Sequence, residues 1–205
     1  LVINEINYHS TAEFDPGDWV EIYNPGDTLV DLSNWSFKDS DDSHIFLLPS
    51  NMILGVHEYL VICNDSQAFH DLFPDVINYI GDMDFMLSGG GDRLRLFDNN
   101  NNIVDYLSYD DILPWPVDPD GNGPTLELFD PNSDNRLPEN WYASKVDFGT
   151  PGKQNSVINK SDPTPFPEVF ALHQNFPNPF NNSTAIQFDI PIESMVKIKI
   201  FEITG

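Results

Sequence analysis

Two carboxylates beside aromatic residues raise the first question of chemistry. Glu5 and Glu21 fall on predicted strands, near Tyr8 and Trp19. A pair of carboxylates flanking a sugar ring is the apparatus of glycoside hydrolysis, one acting as acid and the other as base or nucleophile. The same residues admit a framework reading, because a carboxylate buried in a sheet must find donors among backbone or turn groups. A second candidate is Asp118-Pro119-Asp120-Gly121-Asn122-Gly123, which copies the start of a calcium loop: oxygen side chains at alternate positions, then a Gly for the sharp turn. Asp118, Asp120 and Asn122 would be the ligands, with Asp110 and Asp111 nearby, although Phe129 stands where the far-end bidentate Glu belongs. Asp-Gly and Asn-Gly are also ordinary turn formers. The reading therefore assigns no cofactor, with calcium at this loop as the alternative.

Other reactive groups carry less. Cys63 is the single cysteine, set in the apolar run Tyr59-Leu60-Val61-Ile62-Cys63, and reads as a small core residue. The five histidines, His9, His44, His57, His70 and His173, show no zinc-ligand spacing. No Gly-x-Ser-x-Gly elbow occurs. Gly89-Gly90-Gly91 lacks a following Lys-Ser/Thr and leads into a strand, so it is a turn and not a phosphate cradle.

Composition bounds the partners. Nine Lys+Arg against 33 Asp+Glu give a formal net charge of -24 over 205 residues. That field repels phosphate backbones and anionic lipid heads, which argues against nucleic acid and against a membrane surface. No apolar run approaches a membrane span, so no membrane insertion is expected. With 40% hydrophobic and 13% aromatic residues the chain can fill a core. Leu1 opens directly on a strand, which suggests a mature or excised piece.

The elements that must position these groups are short strands. Asp18–Asp27 (Asp-Trp-Val-Glu-Ile-Tyr-Asn-Pro-Gly-Asp) alternates, with Val20 and Ile22 on one face and Trp19, Glu21 and Tyr23 on the other. Apolar or aromatic residues on both faces demand cover on both, which predicts an interior strand of a sandwich. Further strands are predicted at residues 1–8, 29–32, 35–38, 45–48, 58–63, 76–80, 93–97, 103–109 and 125–129. One helix is predicted from an Asp65 cap to Phe73, stopped by Pro74.

Several stretches together resemble the bacterial lamin-tail domain. They are Asn4-Glu5-Ile6, Asp18–Asn24, Val30-Asp31-Leu32-Ser33-Asn34-Trp35, Tyr59-Leu60-Val61-Ile62, Gly91–Leu96, Val104-Asp105-Tyr106, Asp120-Gly121-Asn122-Gly123, Asn140-Trp141 and Gly149-Thr150-Pro151-Gly152. The likeness covers residues 1–155. It implies an immunoglobulin-like sandwich used as a non-catalytic module, in which Glu5 and Glu21 are framework residues.

Residues 156–168 are polar and proline-bearing, a predicted linker. Leu172–Thr184 then resembles the opening of the C-terminal sorting domain of type IX secretion, with Asn175, Pro177, Asn178, Pro179 and Phe180 as its motif and Asn182 where that family usually has Pro. The family's module runs past the position of Gly205, so a shortened tail is expected over 169–205. Two strands are predicted in it, Ala185–Ile190 and Val196–Phe201. The expectation is an all-β chain: an immunoglobulin-like β-sandwich with a short C-terminal β appendage. Its expected role is that of a binding or structural module of a secreted or cell-surface bacterial protein, with a protein or glycan partner at the surface and the type IX machinery as exporter. The alternative is a calcium-dependent or carboxylate-based hydrolase acting on polysaccharide.

Overall fold

The computed structural model describes residues 1–157, 170–172, 175–181, 183–186, 188–189, 196, 197 and 199. The chain divides into two units, Leu1–Ile158 and Asn159–Gly205. In the first, chain order gives β1 (Val2–Asn7), β2 (Trp19–Tyr23), β3 (Val30–Asp31), β4 (Ser36–Lys38), β5 (Phe46–Leu47) and β6 (Ile53–Leu54). β7 (Tyr59–Cys63), helix α1 (Ser66–Leu72), β8 (Tyr79–Ile80), β9 (Asp92–Phe97) and β10 (Ile103–Tyr109) follow, then β11 (Leu126–Leu128) and β12 (Trp141–Ala143).

A six-stranded sheet runs β12-β11-β1-β2-β7-β8, a four-stranded sheet β10-β9-β4-β5, and β3 pairs with β6. One core lies between the larger sheets. Ile6, Val20, Ile22, Leu60, Ile62, Leu126 and Leu128 enter it from the first, and Phe37, Leu94, Leu96 and Leu107 from the second. This is an immunoglobulin-like β-sandwich. β2 lies between β1 and β7, in the middle of its sheet, as its two-faced alternation requires.

The outer face of the six-stranded sheet is covered as well. Trp19 packs there with Val61, Cys63, Phe69 and Val76, its ring 6.0 Å from that of Phe69 on α1. Asp65 caps the helix by accepting from Gln67 N at 3.0 Å and Ala68 N at 2.9 Å. Burial pushes the Cys63 thiol up to about 12, so it is an inert core group. A register shift between Ile3 and Glu5 lets Ile3 and Ile6, three apart, both reach the core.

Three elements differ from expectation. Only Tyr79–Ile80 of residues 76–80 is strand, pairing parallel with β7, because Val76 is drawn into the helix-side cluster. Ile53–Leu54 forms an unanticipated strand against β3. In the second unit β13 (Ala171–Leu172) pairs with β16 (Phe188–Asp189), and β14 (Phe176–Asn181) with β15 (Ser183–Ala185). The strand expected at Ala185–Ile190 is thus divided between β15 and β16. Asn175 precedes β14, and Pro177, Asn178, Pro179 and Phe180 lie within it. Its pairing is irregular between Phe176 and Asn181, where two prolines have no N–H to give a ladder. Val196, Lys197 and Lys199 lie in no strand, and the remainder of the strand expected at 196–201 is outside the described residues, as is most of the 156–168 linker.

Candidate functional site

Glu5 and Glu21 face each other across β1 and β2, and Glu5 faces Glu127 of β11 on its other side. All three are fully buried, on the outer face of the six-stranded sheet. The alternation of each strand puts them there: Val20 and Ile22 point to the core, so Glu21 points away, and Leu126 and Leu128 do the same for Glu127. What covers them is the segment 149–157, laid over the sheet as a strap.

The strap supplies donors at every carboxylate. Glu5 Oε1 accepts from Thr150 N at 2.8 Å and from the Thr125 hydroxyl at 2.6 Å. Glu21 accepts from Gly152 N at 2.6 Å and from the Asn4 amide at 2.9 Å. Glu127 accepts from Val157 N at 3.0 Å and from the hydroxyls of Ser156 and Thr150, both at 2.8 Å. Asn155 completes the closure: its amide donates to the carbonyls of Asn4 and Leu128, each at 2.9 Å, and its own oxygen accepts from Asn4 at 2.8 Å. Gly149 is left-handed (φ 75°), and a Cβ there would collide with Glu5 Oε1 and Thr125 Oγ1.

No Lys or Arg is among the recorded partners of this row. Burial, with the neighbouring charges of Glu21 and Glu127, holds the Glu5 carboxyl well above its ordinary range. Burial likewise raises Glu21, to about 8, against the lowering pull of Gly152 N and Asn4. Such groups could donate protons near neutrality, but a glycosidase pair also needs a cleft that admits a sugar. Here the oxygens face main-chain donors of the chain itself. The arrangement is a clasp that ties the C-terminal strap to the sheet.

Glu127 escaped sequence analysis, although Leu126-Glu127-Leu128 repeats the pattern of Val20-Glu21-Ile22. Two further framework carboxylates behave alike. Asp18 accepts from Leu87 N at 2.7 Å, and burial raises it to about 7. Asp105 accepts from Ile3 N and the Asn135 amide, both at 2.7 Å, and burial raises it too.

The loop with Asp118, Asp120 and Asn122 sits beside the end of β1. Asp120 Oδ1 lies 2.5 Å from His9 Nδ1, and Gly121 N donates to the His9 carbonyl at 3.1 Å. Asn122 turns its amide to the Asp120 carbonyl at 2.9 Å, and Asp118 is exposed. Among the described residues no three His, Cys, Asp or Glu side chains group so as to hold a metal ion.

A different constellation lies on the outer face of the four-stranded sheet. Leu94 and Leu96 enter the core, so Arg93, Arg95 and Phe97 of β9 face outward. Lys38 of β4 and Tyr106 of β10 stand on either side of Arg95 in register. The cations cover the rings. Lys38 Nζ lies 5.1 Å and Arg95 Cζ 5.9 Å from the centre of Phe97. Arg93 Cζ is 5.4 Å and Arg136 Cζ 5.6 Å from that of Tyr106.

The fold and the closed carboxylate clasp define an immunoglobulin-like module of the non-catalytic kind. The family model for the Lamin Tail Domain matches residues 1–111, more than half of the chain. The chain belongs to the lamin tail domain family. No curated protein matches it. The match ends within the loop after β10, so β11, β12 and the strap lie beyond the matched residues while belonging to the same unit.

Proposed function

We propose that the chain is a non-catalytic binding and structural module of a larger secreted or cell-surface bacterial protein, meeting a protein or glycan partner there. The observation that carries this reading is the closure of Glu5 and Glu21 by Thr150 N and Gly152 N, which spends the one carboxylate pair beside aromatics on holding the fold. Export through type IX secretion is supported by the sequence around Asn175–Phe180, which resembles the opening of that system's sorting domain. Two experiments test the two halves. Fusing the complete C-terminal domain to a periplasmic reporter sends the reporter across the outer membrane of a type IX-competent host; retention in the periplasm refutes the sorting reading. The purified chain turns over no polysaccharide, and turnover lost in a folded Glu21→Gln variant refutes the module reading.

A further inference from the structure

The chain has nine Lys and Arg in all and a net charge of -24. Four of the nine, Lys38, Arg93, Arg95 and Arg136, gather over two rings on one sheet face. Resting on the module reading, we propose that this face is the partner-binding surface and that its partner is an extended acidic protein segment.

The state of each cation supports this. Arg95 pairs with Asp42 at 2.7 Å, and Arg136 with Asp134 at 2.7 Å. Asp42 is 85% exposed, so its pair with Arg95 is a weak surface pair that another carboxylate can exchange. Among the described residues Lys38 and Arg93 have no ion pair; their recorded partners are the rings beneath them. A guanidinium lying over a ring keeps its N–H edge outward, pre-set for two-point bonding to a carboxylate. The exposed Leu47, opposite Ser36 in register, and the exposed Ile103 and Val104 at the start of β10 add apolar contact at the margins.

Spacing selects the class of anion. Arg93 and Arg95 are alternate residues of one strand, about 6.6–6.8 Å apart. The same interval separates same-side side chains of an extended peptide, so carboxylates at alternate positions meet successive arginines. Lys38, opposite Arg95, widens the row to a second strand. A nucleic acid duplex carries about one charge per 1.7 Å and binds by neutralising many phosphates. Four cations, two already paired, in a chain of this net charge do not answer that demand.

The test uses the full chain and a fluorescent eight-residue peptide of alternating Glu and Thr, followed by anisotropy at low and physiological salt. The peptide binds, more weakly as salt rises, and its Gln-for-Glu counterpart does not. Arg93→Ala or Lys38→Ala weakens binding about tenfold. Arg93→Glu abolishes it without moving the melting temperature, and Arg93→Lys recovers part of it. No binding by the wild type, or equal binding by Arg93→Glu, overturns the proposal. Polygalacturonate and a single-stranded oligonucleotide serve as rival anions. Tighter binding of either than of the peptide, lost in Arg93→Glu, overturns the peptide assignment and leaves the module reading standing. Release of reducing ends from polygalacturonate refutes the module reading itself.

Discussion

Replacing Glu21 by Gln separates what the clasp contributes as a hydrogen-bond acceptor from what it costs as a buried acid. Both oxygens of Glu21 accept, one from Asn4 Nδ2 and one from Gly152 N. Glutamine has one acceptor oxygen, so one buried donor meets an NH2 group in its place. Such an unsatisfied donor costs about 1–3 kcal/mol. Ionisation acts in the opposite sense. Burial raises the folded carboxyl from 4.5 to about 8, so between those pH values the unfolded chain has released a proton that the fold still holds. Wild-type stability therefore falls as pH rises through that window. The whole span corresponds to ~5 kcal/mol at most for an isolated group, and the coupling with Glu5 reduces the share that Glu21 carries alone. The variant lacks this titration. Its deficit is greatest near pH 5, about 1–3 kcal/mol, and shrinks or reverses by pH 8. Urea unfolding followed by tryptophan fluorescence across that range measures both curves. The raised carboxyl of Asp18 and the easing of overall charge repulsion tilt both profiles alike, so the difference between them isolates Glu21. Parallel curves from pH 5 to 8 would refute the reasoning.

Two further perturbations probe the same frame. Trp19→Ala removes a fully buried ring from the cluster beneath α1 and destabilises the sandwich by about 3–5 kcal/mol in urea unfolding, whereas a loss below about 1 kcal/mol would mean that the site collapses without consequence. Gly149→Ala forces a Cβ into Glu5 and Thr125 at a left-handed position, so a loss of about 2 kcal/mol or more is expected; a neutral substitution would show that the strap is not seated as described.

Local pattern made much of this architecture readable. Val20-Glu21-Ile22 announced its own alternation, and the apolar residues on both faces of β2 required cover on both. The Asp65 cap and Pro74 bounded the helix nearly to the residue, because capping is local chemistry. Non-local register stayed hidden. Leu126-Glu127-Leu128 carries the same signal as β2, yet only the pairing of β11 with β1 places Glu127 beside Glu5. The bulge after Ile3 cannot be read from residue types, and it decides that Asn4 reaches Glu21. The cationic face was missed for a related reason. Lys38, Arg93 and Arg136 are far apart in the chain, and only the sheet order β10-β9-β4 brings their strands and loop together. The overall charge of -24 also drew attention to acids and away from the few bases.

The clasp itself is most directly tested by amide hydrogen exchange at Thr150, Gly152 and Val157. If the three glutamates hold the strap, these amides exchange as slowly as core amides of β1 and β2, and Glu21→Gln accelerates Gly152. Rapid exchange at all three in the wild type would place the carboxylates open to solvent and to substrate, contradicting the framework role on which the account rests.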